Sequence, residues 1–445
     1  MKKYIINALA ICCFATLNAQ NFDAEPVLQL NNKENNLNFS IGARFMADYA
    51  YYSTEYTPMK SGAAINDARI RTSLSVKDWY FYGDFDFSAG KFHQKNLFAQ
   101  YTFPSESAGK HRIKAGYYTE LASMSLNTSR YGYHFMSRSV AANALATGRS
   151  LGVAYQFFNE RFTLHQGIFA ENKYNNQSSG NQGGTFSGRW LYRPLSGENQ
   201  NLHIGFAARY AILGTGKIEN DVLKTGLTLS APFETSVDVE SKYLNAEIPW
   251  AKNTLYLSGE ALYHNAKFFA RGEYMYKHIT KKRPDEKLFA NQLGGVWSWT
   301  TLESWRKGNP LRSNNFSGAY LELGYLLSGG GYGYSGEDGL LLGNKNKALE
   351  IVARYSYLNL NDINDGEFFL IGKNKFYPTG EISDYPAAST SVGGGKVHAF
   401  TVGLNYTFNK YSQFMLDYTY NNLNNVYFPM DKNFHTIQAR VMFSF

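Results

Sequence analysis

The stretch FSIGARFMADYAY, residues 39–51, alternates between two kinds of position. Every odd position is apolar or aromatic, whereas the even positions include Ser40, Gly42, Arg44 and Asp48. Successive side chains of a β-strand point to opposite faces, so this alternation predicts a strand with one apolar and one polar face. The last ten residues of the chain alternate in the same way, which predicts a similar strand at the C-terminus.

The same two-residue period recurs along the chain and predicts about sixteen strands. Their expected bounds are residues 39–53, 65–77, 79–88, 94–103, 111–118, 150–158, 161–172, 185–194, 201–213, 254–265, 267–279, 317–328, 347–359, 397–408, 412–422 and 433–445.

Short and long connections alternate between these segments. Tight turns are expected at Lys77-Asp78, Asn159-Glu160, Ala266-Lys267 and Asn409-Lys410, and long connections at residues 119–149, 213–253, 281–315 and 361–396. An even number of strands places both termini and the tight turns on one side, which we expect to be periplasmic. Residues 329–346 form a long glycine-rich connection on that same side, and the alternation gives no account of it.

The composition indicates strands in a membrane. Aromatic residues (34 Tyr, 32 Phe and 6 Trp) make up 16% of the 445 residues, and charged residues make up 18%, compared with about 25% in ordinary soluble domains. After the N-terminus, no window approaches the run of about 18 apolar residues that a membrane-spanning helix requires. The composition therefore excludes a helical membrane protein.

A soluble β-sandwich would also alternate, so two further features decide between it and a barrel. Tyr, Phe and Leu dominate the apolar faces, with aromatics near the segment ends, as in the aromatic girdles of outer-membrane barrels. The alternation of short and long connections is also typical of barrels. Because backbone groups facing lipid must all pair, only a closed sheet is viable. We predict an all-β protein, a transmembrane antiparallel β-barrel of about sixteen strands around an aqueous lumen.

The N-terminus has the form of a secretory signal. Lys2 and Lys3 precede an apolar stretch, and Ala19 lies at the expected cleavage position. We expect residues 1–19 to be the signal peptide, residues 20–38 a short N-terminal periplasmic segment and residues 39–445 the barrel domain. Both cysteines, Cys12 and Cys13, fall in the signal, so the mature chain has no thiol for disulfides, nucleophilic catalysis or metal binding.

Parity along each strand predicts which charged residues face the lumen. Thirteen basic residues fall on the polar faces, against ten acidic ones, and many are expected to pair across neighbouring strands. The basic residues are Arg44, Arg69, Arg71, Lys77, Arg112, Lys114, Arg189, Arg193, Arg209, Arg271, Lys277, Arg354 and Arg440. The acidic residues are Asp48, Asp67, Asp84, Asp86, Glu171, Glu260, Glu273, Glu322, Glu350 and Asp417.

The connection of residues 119–149 is the third loop on the side of the long connections. It carries Arg130, Arg138 and Arg149 against one acid, Glu120, and has no periodicity of its own. Loops of this length are uncommon unless they are functional. In a wide barrel such a loop can fold inward and narrow the lumen, where guanidinium groups favour phosphate-like or carboxylate solutes. The alternative is an ordinary surface loop.

Five segments carry a resemblance to a known family: RIKAGYY at residues 112–118, MSRS at 136–139, AYLELGYLLSG at 319–329, ALEIVARYS at 348–356 and TVGLNYTFN at 401–409. In this order and spacing they make the chain similar to the phosphate-selective porin O and P family of outer-membrane channels. The resemblance implies sixteen strands, a homotrimer and a pore that the third loop narrows.

The chain departs from the family's phosphate-selective members at two places. Their ladder of alternating arginines after the ninth strand corresponds here to KTGLTLSAP, residues 224–232, which offers only Lys224. Their adjacent arginines at the start of the second strand correspond here to Asn66 and Asp67, ahead of Arg69. We therefore expect a weak anion preference.

The sequence thus predicts an outer-membrane porin, a water-filled channel for passive diffusion of small hydrophilic solutes. Its expected partners are outer-membrane lipid, small anionic or polar solutes and further copies of the chain, but no nucleic acid. We expect no catalytic residues, metal or cofactor. The alternative is a structural, adhesive or enzymatic outer-membrane barrel with an occluded lumen. The predicted pore-lining or solute-binding residues are Arg69, Arg71, Arg112, Lys114, Arg130, Arg138 and Arg149.

Overall fold

A computed structural model describes the chain from residue 28 to residue 445, except residues 33, 35, 89, 91, 106–107, 172–178, 294–300, 345, 381–388 and 428–429. The predicted signal peptide therefore lies outside the described residues.

Sixteen antiparallel strands form a closed barrel, which confirms the predicted fold class. The barrel closes between the first and last strands, with Arg44 opposite Ser444 and Ser53 opposite His435. In chain order the strands are β1 (Leu37–Ser53), β2 (Gly62–Val76), β3 (Trp79–Asp86), β4 (His93–Phe103), β5 (Lys110–Thr119), β6 (Arg149–Phe158), β7 (Phe162–Ala170), β8 (Gly184–Ser196), β9 (Asn201–Ile212), β10 (Ala251–His264), β11 (Phe268–Lys281), β12 (Asn314–Gly329), β13 (Ala348–Asp362), β14 (Val392–Asn409), β15 (Ser412–Asn424) and β16 (Asn433–Ser444).

The barrel has two distinct ends. The tight turns lie at one end, here called the turn end, and most long connections lie at the other, here called the loop end. Several strands extend further toward the loop end than the alternation predicts. In β14, for example, Val392 and Gly393 still pair with Asp362 and Asn361, because backbone pairing continues where the apolar pattern stops.

The two faces of the wall follow the predicted parity. Outward apolar side chains are exposed, for example Ile168 at 67% and Tyr274 at 56%. Of the thirteen basic residues predicted to face inward, eleven are buried and Lys114 is half-buried. The prediction that Lys77 faces the lumen is wrong. Lys77 is exposed in the turn between β2 and β3, with a φ of 52°, because the strand ends one residue earlier.

Three segments fold into the lumen. The third loop between β5 and β6 forms the helices Met124–Asn127 and Val140–Leu145 and the 3-10 turn Arg130–Gly132. The fifth loop, residues 213–250, forms the strands Gly216–Glu219, Val222–Ala231 and Leu244–Pro249. The first of these strands is largely exposed, and the part that includes Phe233 and Leu244 is buried in the lumen. The connection of residues 330–347, here called the inner hairpin, enters from the turn end with the strands Gly333–Ser335 and Leu340–Leu342. Its insertion was not predicted.

The third and fifth loops pack together on one side of the lumen. Val140 and Leu145 of the third loop join Phe233 and Leu244 of the fifth loop in one buried hydrophobic cluster with side chains of the wall. Gly318 in β12 lets the third loop pack closely against the wall, because a Cβ there would lie 2.8 Å from the Cβ of Ala141. The inward-folded third loop is therefore confirmed, and the alternative of a surface loop is wrong.

The remaining elements lie outside the wall strands. Leu28–Asn32 pairs with the start of β1. The connection after β11 holds the helices Asp285–Leu293 and Leu302–Gly308, and the connection after β13 holds the strands Glu367–Leu370 and Lys375–Pro378, joined by the 3-10 turn Ile371–Lys373. None of the helices in the described part of the chain has the length and apolar character needed to cross a membrane.

Candidate functional site

A cavity of about 670 Å³ lies between the inner wall of β1–β8 and the third loop, and the tip of the inner hairpin lines part of it. Its lining has ten Lys or Arg side chains against three carboxylates, an excess of seven positive charges. The acidic residues are Asp84, Glu337 and Asp338, and the basic residues are Arg44, Arg69, Arg71, Lys95, Lys110, Lys114, Arg130, Arg138, Arg149 and Arg189.

Carboxylates of the opposite wall hold the third loop in place. Glu273 in β11 accepts hydrogen bonds from the backbone N–H groups of Met124 and Ser125, both at 2.9 Å, where the helix Met124–Asn127 begins. Asp417 in β15 accepts one from Met136 N at 2.7 Å. Backbone N–H groups at a helix start lack partners within the helix, so a carboxylate satisfies them well. These acids therefore serve to anchor the loop.

The fifth loop contributes a further buried carboxylate, Glu234. It accepts a hydrogen bond from Val140 N at 3.1 Å, at the start of the helix Val140–Leu145. It also pairs with Arg354 of β13, with Nη2 and Oε2 2.5 Å apart. On this side, Arg271 pairs with Glu322 at 2.6 Å. The charges of this half of the lumen thus largely neutralise one another.

On the cavity side, Asp67 of β2 is the centre of a basic cluster. It is fully buried and accepts hydrogen bonds from Arg44 Nε and Nη2 at 3.0 and 3.1 Å. Arg69 Nε lies 3.0 Å from its second oxygen, and Arg130 of the third loop lies 3.6 Å away. Arg130 also donates to the backbone O of Asn66 at 2.7 Å. Asp67 thus faces three guanidinium groups, of which Arg69 also pairs with Asp84 at 3.0 Å.

Three other basic residues of the cavity, Lys114, Arg138 and Arg149, have no carboxylate oxygen within 4.0 Å among the residues that the structure describes. Lys114 Nζ lies 3.8 Å from the ring centroid of Phe98. Arg138 donates to the backbone O of Ser125 at 3.1 Å, and Arg149 donates to Asn96 Oδ1 at 2.7 Å. Neutral partners fix these side chains without cancelling their charge, so the cavity keeps a positive potential.

The inner hairpin supplies the cavity's carboxylates at its turn end. Arg112 of β5 forms an ion pair with Glu337. Arg189 of β8 donates to the backbone oxygens of Asp338 and Gly339 at 2.6 and 2.9 Å.

Of the seven predicted site residues, six line the cavity: Arg69, Arg71, Lys114, Arg130, Arg138 and Arg149. Arg112 lies beside it, paired with Glu337. The prediction omitted Arg44 and Arg189, although parity had placed both on the inner wall, and it omitted Lys95, Lys110 and His165. Both ring nitrogens of His165 lack a hydrogen-bond partner among the described residues. Glu337 and Asp338 of the inner hairpin lie outside the alternating segments, so parity could not identify them.

The two departures in sequence have clear structural counterparts. Lys224 lies outside the cavity lining and pairs with Glu219 at 3.1 Å near the surface. Asp67 partly neutralises the arginines that surround it. Within the described ranges, there is no group of three or more His, Cys, Asp or Glu side chains that could hold a metal ion.

A family model described as phosphate-selective porin O and P matches residues 39–445. An uncharacterized protein of Caulobacter vibrioides (strain ATCC 19089 / CIP 103742 / CB 15) is 26% identical over 278 residues, which are 59% of this chain and 49% of the relative. The match thus spans about half the length of that relative.

Two solved structures are similar in fold. One is the loop L8 deletion mutant of OmpT, an outer membrane protein of Vibrio cholerae, with a TM-score of 0.51 and 10% identity, covering 92% of this chain and 99% of the other. The second is an anion-selective porin from Comamonas acidovorans, with a TM-score of 0.51 and 9% identity, covering 92% of this chain and 100% of the other. At these identities the likeness shows a shared barrel fold.

Proposed function

The chain belongs to the phosphate-selective porin O and P family of the bacterial outer membrane, and we propose that it forms a channel for passive diffusion of small hydrophilic solutes, with a weak preference for phosphate-like anions. The observation that carries this proposal is the cavity of about 670 Å³ and its excess of seven positive charges.

The preference for anions follows from the environment of those charges. Inside a barrel, water is partly replaced by protein of low dielectric constant, so each uncompensated cation attracts an anion more strongly than it would at a surface. Guanidinium groups bind the oxygens of phosphates and carboxylates through paired hydrogen bonds. The preference is weak because Asp67, which is not among the three lining acids, neutralises part of the charge of Arg44 and Arg69.

We propose that the seven predicted residues line the solute path. Arg69, Arg71 and Lys114 contribute from the wall, and Arg130 and Arg138 contribute from the opposite side, where the third loop holds them. Arg149 lies at the C-terminal end of the third loop and Arg112 near the turn end. An anion that passes through the channel would bind these basic side chains one after another.

Recording from single channels in a planar lipid bilayer tests this function. Purified protein is expected to produce discrete conductance steps, while the same protein heat-denatured before addition serves as the control. A second candidate function is a structural or adhesive barrel, favoured by the three segments that fold into the lumen. Folded protein that gives no conductance above background would support this second function and contradict the channel.

We also propose how the protein is processed, oriented and assembled in the outer membrane. The turn end faces the periplasm, residues 1–19 are a removed signal peptide and residues 20–38 lie in the periplasm. Three copies assemble as a homotrimer, and the channel has no catalytic activity and needs no cofactor. N-terminal sequencing of protein from outer membranes is expected to begin at Gln20. Light scattering in detergent is expected to give three times the protomer mass.

A further inference from the structure

The inner hairpin places two carboxylates inside a basic cavity. Glu337 and Asp338 lie between its strands Gly333–Ser335 and Leu340–Leu342, and both line the cavity. They are two of only three acidic side chains among the described lining residues. The hairpin also reaches the third loop, since a Cβ on Gly132 would lie 3.8 Å from the backbone O of Leu341.

Wall residues fix the hairpin on both sides of these acids. Before them, Tyr332 donates from its hydroxyl to Glu350 at 2.5 Å, and the Tyr334 hydroxyl lies 2.8 Å from His203 Nδ1. Arg193 donates to the backbone O of Gly336 at 3.0 Å. Arg189 binds the backbone oxygens of Asp338 and Gly339. The carboxylates are therefore held at defined positions.

The arginines of the wall bind backbone oxygens of the hairpin, so the carboxylates of Glu337 and Asp338 remain free to contact other groups. Arg189 uses Nη1 and Nη2 on backbone oxygens of the hairpin and pairs with Glu260 on the wall. The Glu337 carboxylate instead pairs with Arg112. Asp338 accepts only a long hydrogen bond, 3.3 Å, from the Ser335 hydroxyl among described side chains. Its charge is thus available to the cavity.

Basic groups near the turn end complete the arrangement. The ammonium group of Lys114 in β5 lies over the rings of Phe98 and Tyr118, at 3.8 and 4.6 Å from their centroids. His165 is buried and lines the same cavity, and its ring nitrogens lack hydrogen-bond partners within the described structure. Lys114 and His165 are groups that a permeating anion would contact. At Arg112, in contrast, the position of an anion is already occupied by the carboxylate of Glu337.

We propose that Glu337 and Asp338 are specificity-determining residues of the channel: as tethered anions at the turn end of the cavity, Glu337 occupies Arg112 and Asp338 lowers the positive potential around Lys114, so both oppose the binding of permeating anions. The proposal rests on the proposed channel function and deepens it. This role explains why a cavity with ten basic residues has only a weak preference for anions. The hairpin acids lower the positive potential at the turn end of the cavity, where an anion enters or leaves.

The test is the double variant E337Q/D338N, which removes both charges and keeps the size of both side chains. We expect the chloride-to-potassium permeability ratio, from reversal potentials in a KCl gradient, to rise about two-fold or more. The concentration of inorganic phosphate that halves the chloride current is expected to fall by a similar factor. The matched control is D78N/E198Q, which removes two exposed charges from turns at the same end and is expected to leave both values unchanged.

The outcomes separate this proposal from the proposed function. A wild-type protein without conductance contradicts the channel itself. A conducting wild type with an unchanged permeability ratio in E337Q/D338N overturns the role of the hairpin acids, as does a larger current without a change in the ratio. If the double variant does not fold, shown by the absence of heat-dependent migration in gels, E337Q and D338N are measured singly. Each is then expected to shift the ratio in the same direction.

Discussion

The carboxylate of Glu273 in β11 and the backbone N–H of Met124 in the third loop form a hydrogen bond of 2.9 Å. Tyr320 also donates to this carboxylate, at 2.7 Å. The acid thus binds a wall strand to the start of a helix in the lumen. With Asp417 and Glu350, which contact Met136 and His134, it shows that wall acids hold the third loop. The loop keeps its arginines on the opposite side, facing the cavity.

The variant E273A is expected to loosen the third loop. Removing a buried carboxylate leaves the N–H groups of Met124 and Ser125 without their acceptor, at a cost of about 1–3 kcal/mol. We expect a higher mean conductance and more current noise, measured in single-channel recordings. The control E247Q changes an exposed acid of the fifth loop. Wild-type conductance and noise in E273A would show that this contact does not position the loop.

The variant R138Q/R149Q removes two charges that have no carboxylate within 4.0 Å in the described part of the chain. We expect the chloride-to-potassium permeability ratio to fall about two-fold, because both guanidinium groups are held by neutral hydrogen-bond acceptors, the backbone O of Ser125 and the Oδ1 of Asn96. Reversal potentials in a KCl gradient measure this ratio. The control R306Q/K307Q removes two exposed charges of the helix Leu302–Gly308 and is expected to have no effect. An equal shift in both variants would mean that only net charge matters.

The variant D67N is expected to strengthen anion binding. It removes the carboxylate shared by Arg44, Arg69 and Arg130, so the potential of the cavity becomes more positive. We expect inorganic phosphate to halve the chloride current at a lower concentration, and the urea midpoint of unfolding to fall because a buried ion-paired cluster is broken. D365N, at an exposed position of the connection after β13, is the control. Weaker phosphate block in D67N contradicts this expectation.

Asp431, in the connection between β15 and β16, provides a prediction about pH. Its Oδ2 accepts hydrogen bonds from the N–H groups of Glu55, Tyr56 and Thr57 at 2.8, 2.9 and 2.8 Å. Burial alone would raise the pKa of this carboxyl, but these hydrogen bonds outweigh it and hold the pKa below its ordinary value. The stabilisation is therefore complete above the ordinary aspartate pKa of about 3.9. It is lost as the pH falls through the lower folded-state pKa.

Hydrogen exchange of residues 55–57, corrected for the intrinsic effect of pH on exchange rates, measures this contact. We expect protection to fall on acidification in the wild type and to be low and nearly independent of pH in D431N. The exposed D365N again provides the control. Equal pH dependence in the wild type and in D431N would assign the effect to another group.

The local alternation of side chains predicted the barrel wall, but it could not predict how the segments inside the lumen are arranged. Parity identified the inner face of Arg44, Asp67 and Glu273, because a strand fixes side-chain direction over short distances. It could not indicate where around the barrel each charge finds its partner. Glu234 and Arg354, for example, are 120 residues apart. Only the structure therefore shows that the acids that anchor the third loop lie on one side of the lumen and the bases that line the cavity lie on the other.

The inner hairpin was the feature least accessible from sequence. Its strands Gly333–Ser335 and Leu340–Leu342 have three residues each, too few for a period to be visible. Its position depends on wall partners remote in sequence, such as Arg189 and Arg193. The third loop was predictable because its length and its arginines were unusual in themselves. The fifth loop was expected only as a long connection, and its strands and its place in the lumen were missed.

The most direct test of the account is the reversal potential of the wild-type channel in a planar bilayer with a tenfold gradient of KCl. Because positive charge in the cavity favours anions, the potential is expected to have the sign of chloride selectivity, and phosphate added to both sides is expected to reduce the chloride current. A reversal potential with the sign of potassium selectivity would contradict the account.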